Sequence, residues 1–426
     1  MPDGIMLKED TDLQNHSVKR RDAKAAQSAE GPSRRRVLGM AALAAGAGAL
    51  GVLGTPKVFA AATGGESVVS SLPETVQKFY ELATTTPLGP SLYRDFKPKK
   101  GPPWKIGYAS SFGGNTWRIG ARTRLEEVLL PEYRKAGLVS EVITTESNLV
   151  IPRQIQQIRQ LVDQGCDAIM TIGAAHTALN GAIQYAHEHG VLFVAIQGGV
   201  SSPYALQVSG NYALCGKLQG QALGKKMGGK GNALIVQGIP QAQASNDFQK
   251  GHEIGLKDYP DIKIVGAVAG NWVDSVAKTK VLEFLATHPE PLAGIATQSP
   301  GDIGTLQALQ QNGRAVVPMT PGGEMGPLAY WRDHPDWIDL TYQGWPPGNE
   351  MEEGWEAMLR TLEGQGPKIA SLLIGPGPIT HTDLATLLPQ GTTDASNEWV
   401  EPPYAEWFPP ATMDAYFERP AAPLKT

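Results

Sequence analysis

The sequence predicts an α/β protein built as two lobes of similar design, and three observations carry that prediction. Short apolar runs rich in β-branched residues alternate with segments of helical period from Trp104 onward. After Ser209-Gly210-Asn211 the scheme begins again, and a second strand–turn–helix unit echoes the first. The length, 426 residues of which 41% are hydrophobic, is ample for two cores. Strand–helix alternation of this kind argues for parallel sheets joined by right-handed crossovers.

Residues 1–60 read as an export segment. Ser33-Arg34-Arg35-Arg36-Val37-Leu38 opens a mildly apolar, glycine-bearing run to Leu53, and Val58-Phe59-Ala60 offers small residues for cleavage before Ala61. The consecutive arginines resemble a twin-arginine signal, read by a receptor that exports folded proteins, so the mature protein is expected in the periplasm. Removing the segment takes away nine of 37 Lys and Arg and six of 42 Asp and Glu, leaving a net charge of −8. Such an acidic surface is a poor partner for nucleic acid or anionic membrane. Cys166 and Cys215, both with apolar neighbours, read as buried thiols, although an oxidising compartment would allow them to pair.

Residues 61–103 read as a linker, with one short helix opened by Pro73 and proline-rich stretches that exclude regular structure. Lys105–Ser110 is then a strand, 111–116 a turn, and Trp117–Leu130 a helix with Ile119, Leu125, Val128 and Leu129 on its apolar positions. Asn115 or Thr116 suits the N-cap, while Gly113 and Gly114 permit a sharp reversal and a close approach to the backbone. In a parallel sheet, a turn at the carboxyl end of a strand is where ligands bind. Strands follow at 141–145, 167–172 and 191–196, with helices from Pro152 to Gly165 and from Ala178 to His189. In the second half, helices are expected at 214–227, 245–257, 276–287 and 304–311. Strands are expected at 232–237, 263–268, 294–297, 316–320 and 339–343. A helix over 349–363 precedes a proline- and aromatic-rich tail, which should pack over the body because exposed aromatics invite aggregation.

Catalytic signatures are missing. Gly113 and Gly114 lack the G-x-G-x-x-G spacing of a dinucleotide site, no G-x-S-x-G elbow occurs, and no Cys/His set supplies a nucleophile. His187-Glu188-His189 are neighbours on a helix and point apart, so they read as solvated helix-end residues rather than a metal site. The residues therefore give no sign of an enzyme, and neither a cofactor nor a metal is expected.

Several stretches together resemble the periplasmic sugar-binding proteins of the ribose/galactose type that serve ABC transporters. They are Lys105-Ile-Gly-Tyr, Gln154-Ile-Gln-Gln-Ile-Arg-Gln-Leu-Val-Asp-Gln-Gly-Cys-Asp-Ala-Ile, Gly228-Gly-Lys-Gly and Leu306-Gln-Ala-Leu-Gln-Gln-Asn-Gly. The resemblance, over about 104–389, implies a type I periplasmic-binding-protein fold: two doubly wound parallel-sheet lobes joined by three hinge crossings. These fall near Val208–Asn211, Gln343–Pro346 and Ile379–Asp383. Lobe 1 would be 104–209 with a return segment 346–379, lobe 2 would be 210–345, and 380–426 would hold the last crossing and the tail. The resemblance implies a ligand pocket of Phe112, Asn115, Trp117 and Gln197 from lobe 1. Lobe 2 would add Asn246, Asp247, Trp272, Gln298, Asp302 and Thr320 or Glu324, with Gln343 and Trp345 from the hinge. It further implies a monomer that passes a small neutral sugar or polyol to an ABC permease, or a sensory protein presenting its ligand to a chemoreceptor or sensor kinase. Three positions depart from the family pattern. Gln197-Gly198-Gly199 replaces an Asp-Arg-like pair, Phe248 stands where an arginine is common, and Met319-Thr320 where an aspartate is usual. With those charges gone, and no other arginine at a polar pocket position, a neutral polyhydroxyl ligand is expected over an anion.

Overall fold

The computed structural model describes residues 65–240 and 242–421; the export segment expected over 1–60 lies outside them. Two short helices, α1 (Gly65–Ser70) and α2 (Glu74–Gln77), precede the first strand. Then come β1 (Trp104–Ser110), α3 (Thr116–Thr123), α4 (Leu130–Lys135), β2 (Val139–Glu146), α5 (Ile151–Asp163), β3 (Ala168–Ile172), α6 (Asn180–Glu188), β4 (Leu192–Ile196) and β5 (Leu206–Gly210). The second half holds α7 (Tyr212–Lys226), β6 (Lys230–Gln237), α8 (Gln243–Lys257), β7 (Asp261–Ala269), α9 (Asp274–Thr287), β8 (Gly294–Thr297), α10 (Asp302–Asn312), α11 (Met325–Asp333) and β9 (Leu340–Gln343). The chain ends with α12 (Pro347–Leu362), β10 (Ser371–Ile374), β11 (Gly377–Thr380), α13 (Leu384–Leu387), α14 (Tyr404–Trp407) and α15 (Pro410–Ala415).

The first sheet is six-stranded and parallel, in the order β10-β5-β4-β3-β1-β2. Strand periodicity of two sends alternate side chains to opposite faces. Ile106, Tyr108, Met170, Ile172, Val194 and Ile196 meet Met351, Trp355 and Met358 of α12 on one face. Ala109, Ile169, Phe193 and Ala195 meet Ile158, Leu161 and Ile183 of α5 and α6 on the other. The second sheet, β7-β6-β8, is also parallel, and its faces are covered by Val281, Phe284, Leu306 and Trp331 on one side and by Leu223 and Leu256 on the other. A two-stranded antiparallel ribbon pairs β9 with β11.

Helices α7 and α8 pack backbone to backbone. A Cβ at Gly216 would stand 2.2 Å from the Phe248 carbonyl oxygen, one at Gly251 2.2 Å from that of Ala213, and one at Gly255 2.2 Å from that of Lys217. Only glycine permits that approach. Cys166 and Cys215 are both free and buried.

The structure departs from the sequence reading in several places. The helix expected to end at Leu130 continues to Lys135 through a π turn at 124–129. Pro131 has no N–H to donate within the helix, and widened turns accommodate such a gap. Met325–Asp333 is a helix that the sequence reading missed, and the 316–320 strand shrinks to a single bridge between Met319 and Ile295. The stretch taken as a linker is packed: Leu72, Val76, Tyr80 and Tyr93 are buried, and the Tyr80 hydroxyl donates to Ser371 O at 2.7 Å. The third passage between lobes lies at Gly375–Pro376, between β10 of the first sheet and β11 of the ribbon, rather than at Ile379–Asp383.

The glycine contact between α7 and α8 yields a paired prediction. Gly251→Ala forces a methyl into the Ala213 carbonyl and should cost about 1–3 kcal/mol. Gly181→Ala, in α6 where nothing lies within 4 Å, should stabilise by about 0.4–1 kcal/mol. Urea unfolding of both checks the pair; a Gly251→Ala midpoint equal to the parent's would show that the helices are free to move apart.

Candidate ligand-binding site

Parallel strands deliver the turns after β1, β4, β6 and β8 to one edge of each sheet, and the two edges meet across a cleft. Asn115 joins them directly. Its Oδ1 accepts from Arg118 N at 2.8 Å, capping α3, while its Nδ2 donates to Trp272 O at 3.2 Å in the other lobe. Thr85 Oγ1 donates to Asp247 Oδ2 across the same divide at 2.7 Å. The lobes thus stand closed on each other.

Between them is a cavity of ≈ 40 Å³ with walls from both lobes and from one of the crossings between them. Trp117 and Gln197 come from the first lobe, Tyr212, Phe248, Ser299 and Gly322 from the second, and Gly344 and Trp345 from the crossing between β9 and α12. Glu350, in the first turn of α12, and Trp399, in the C-terminal tail, complete it. Trp117 is fixed by its Nε1, which donates to Trp345 O at 2.8 Å, and Trp345 packs edge-on to Tyr212 at 4.5 Å between centroids.

Several polar atoms in and beside this cavity are buried without a hydrogen-bond partner: Trp345 Nε1, Tyr212 Oη, both carboxyl oxygens of Glu350, and Nη1 of Arg118. Burying such groups unpaired costs roughly 1–3 kcal/mol each. Burial pushes the Glu350 carboxyl up to about 8, with the nearby Arg118 charge pulling it partly back. At neutral pH Glu350 is therefore mostly protonated and both donates and accepts. Burial, with Glu350 adding to it, also raises the Tyr212 phenol well above its ordinary value. Arg118 does not line the cavity, but its guanidinium acts electrostatically on both Tyr212 and Glu350. One cation beside one neutral-leaning acid leaves the site without a large net charge.

The expected residues divide into groups. Trp117, Gln197 and Trp345 line the cavity together. Asp302 and Glu324 lie directly behind its second-lobe wall: Asp302 Oδ2 accepts from the Ser299 hydroxyl and from Gly322 N at 2.9 Å. Glu324 Oε2 accepts from Gly301 N and Asp302 N at 3.3 and 3.2 Å. Burial pushes Asp302 up to about 6, and Asp274 adds to that shift. Gln298 is consumed as a clamp, since its Oε1 accepts from Gly238 N and Ser245 Oγ and its Nε2 donates to Ser245 O. Gln343 donates to Val400 O at 3.0 Å. Phe112 lies over Gly114, and a Cβ at Gly113 would meet Glu146, so these glycines serve close packing. Trp272 packs on Gly238, Asn246 is exposed on α8, and Asp247 faces a neighbouring recess with Thr85 and His176. None of Phe112, Asn115, Asn246, Asp247, Trp272, Gln298 or Gln343 lines the cavity.

Tyr212, Glu350 and Trp399 went unrecognised in the sequence. The cap position of Asn211, immediately after β5, signalled only a helix start, and Glu350 reads as an ordinary first-turn acid. Among the described residues, no group of three His, Cys, Asp or Glu side chains is arranged to hold a metal.

With this geometry in place, comparison with known proteins is direct: the chain belongs to the periplasmic binding protein domain family, which matches residues 106–366. Membership implies a periplasmic location and a binding role. A xylitol-binding protein of Mycolicibacterium smegmatis (strain ATCC 700084 / mc(2)155) is 28% identical over 189 residues, which are 44% of this chain and 54% of that one. The chain thus matches about half the length of that relative. The crystal structure of an ABC transporter solute binding protein from Thermobispora bispora DSM 43833 superposes with a TM-score of 0.63 at 23% identity, covering 70% of this chain and 92% of that one. A solute binding protein from Mycobacterium smegmatis with bound glycerol gives 0.61 at 20% identity, covering 68% and 98%. These structures share the fold.

The Glu350 carboxyl gives a pH prediction. Its folded value of about 8 lies above the ordinary 4.5, so the native state keeps a proton that the unfolded chain releases within that window. Stability must then fall as pH rises from about 4.5 to 8, by up to about 1.4 kcal/mol per unit for each such group. Unfolding of Glu350→Gln at pH 5.5, 6.5 and 7.5 should show a shallower decline than the parent; parallel declines would mean that Glu350 is ionised when folded.

Proposed function

We propose that this chain is an extracytoplasmic solute-binding protein that captures a small neutral carbohydrate or polyol between its lobes and delivers it, as a monomer, to an ABC permease. The observation that carries this reading is the cavity itself. Tryptophan rings suited to the C–H face of a sugar surround unpartnered groups that donate and accept, which is what hydroxyls require. Trp345 Nε1 offers an N–H group, while Tyr212 and protonated Glu350 can each donate or accept. An anion would find only one guanidinium, with an acidic side chain beside it. The family and the xylitol-binding relative support the same class of ligand.

We further propose that the segment ending near Ala60 directs export through the twin-arginine route. Mass spectrometry of the protein recovered from the periplasm should find a start close to Ala61; an intact leader on cytoplasmic protein would overturn this.

Thermal-shift screening against xylitol, ribose, myo-inositol, glycerol, gluconate and ribose 5-phosphate tests the ligand class, because a ligand that binds only the folded state raises its melting temperature. Neutral polyols or sugars should produce the shifts. In calorimetry with the best of them, Trp117→Ala should lose about 1–3 kcal/mol of binding free energy. A response confined to gluconate or the phosphate, or parent-like binding by Trp117→Ala, would overturn the reading.

A further inference from the structure

The C-terminal segment 381–421 follows the last strand of the ribbon and lies outside the region matched by the family. It joins both lobes. Leu384, Leu388 and Val400 are buried in the second-lobe core, while Phe408, Met413, Tyr416 and Phe417 are buried in the first-lobe core. The change of lobe is confined to one peptide bond. Val400 N donates to Gly323 O at 3.0 Å and Val400 O accepts from Gln343, so Val400 belongs to the second lobe and its ribbon. The next residue, Glu401, accepts from Gly348 N and Asn349 N at 2.7 and 3.2 Å and so caps the start of α12 on the first lobe. Trp399 sits at the same point. Its ring contacts Gly323 of the second lobe, its Nε1 donates to Thr116 Oγ1 of the first at 3.0 Å, and it forms part of the cavity wall.

From this geometry we infer that the tail is a fourth connection between the lobes: a strap that supplies a ligand-contacting residue, Trp399, and latches the cleft shut through Thr116 and Glu401. Extended chain reaches about 3.3–3.6 Å per residue. Val400 and Glu401 are held at the two ends of the β9–α12 crossing, and Trp399 beside them reaches to Thr116. The short connection therefore has little slack, and opening strains the indole–Thr116 bond first. Val400 is fully buried and held by two hydrogen bonds, which makes the first-lobe attachments the releasable side. The contact of Trp399 with ligand rests on the solute-binding function proposed above; the latch does not.

The experiment has two arms, one independent of any ligand. Spin labels at Gln160→Cys in α5 and Lys257→Cys in α8, both exposed, report the distance between lobes, while the native thiols stay buried. Ligand-free parent should give one narrow distance distribution. Thr116→Val and Glu401→Gln, which loosen the latch and leave the cavity wall in place, should each add a longer population. In the second arm, xylitol titrated into Trp399→Ala should bind at least tenfold more weakly than to the parent, and Trp399→Phe should recover most of that loss. Distance distributions that match the parent in both latch variants overturn the strap. Xylitol affinity within twofold of the parent in Trp399→Ala overturns its place in the site. If the parent binds no panel member, the solute-binding reading fails while the distance arm still decides the latch.

Discussion

A parallel strand cannot be followed by its neighbour until the chain has crossed back to the starting edge, and this requirement organises the molecule. Each sheet consequently gathers its carboxyl-terminal turns along one edge. Placing two such edges opposite each other creates a cleft whose walls are loops, free in sequence, while the strands behind them stay apolar. Trp117 after β1, Gln197 after β4 and Ser299 after β8 all reach the cavity for this reason. The crossing between β9 and α12 adds Trp345, and the return of α12 to the first sheet brings Glu350 to the same point.

Much of this was legible in residue order. The apolar runs at 105–110, 167–172 and 191–196 are strands because they are buried on both faces, and continuous hydrophobicity is what such burial requires. Trp117 and Trp345 could be placed because they sit beside a strand end in the expected turns. Glu350 could not. On a helix the first-turn acid is normally solvated, and only the packing of α12 under the cleft turns that side chain inward. Gln298 illustrates a related point: a polar residue after a strand can serve the ligand or the loops that frame it, and here Gly238 and Ser245 claim its amide. The third crossing was displaced because Gly375-Pro376-Gly377-Pro378 reads as irregular, yet its last two residues open β11 of the ribbon. Trp399 lies so far along the chain from the other wall residues that no periodicity links them.

Buried acids recur on α12. Glu350 and Glu353 are both inaccessible, and neither carboxyl finds a hydrogen-bond partner. Burial drives both upward, Glu353 further raised by Glu350 and Glu356. Two acids three residues apart in an apolar interior are costly to the fold. Glu350 lines a cavity, whereas among the described residues Glu353 has no hydrogen-bond partner.

The glycine contact between α7 and α8 has a mechanical side. Helices separated by side chains can slide past one another as rotamers exchange, which is how shear motions are accommodated. Where backbone rests on backbone there are no rotamers to trade, and sliding would drive main-chain atoms into each other. The pair therefore acts as a stiff keel along the second lobe. A second lobe stiffened in this way leaves the passages between lobes as the place where the chain can bend.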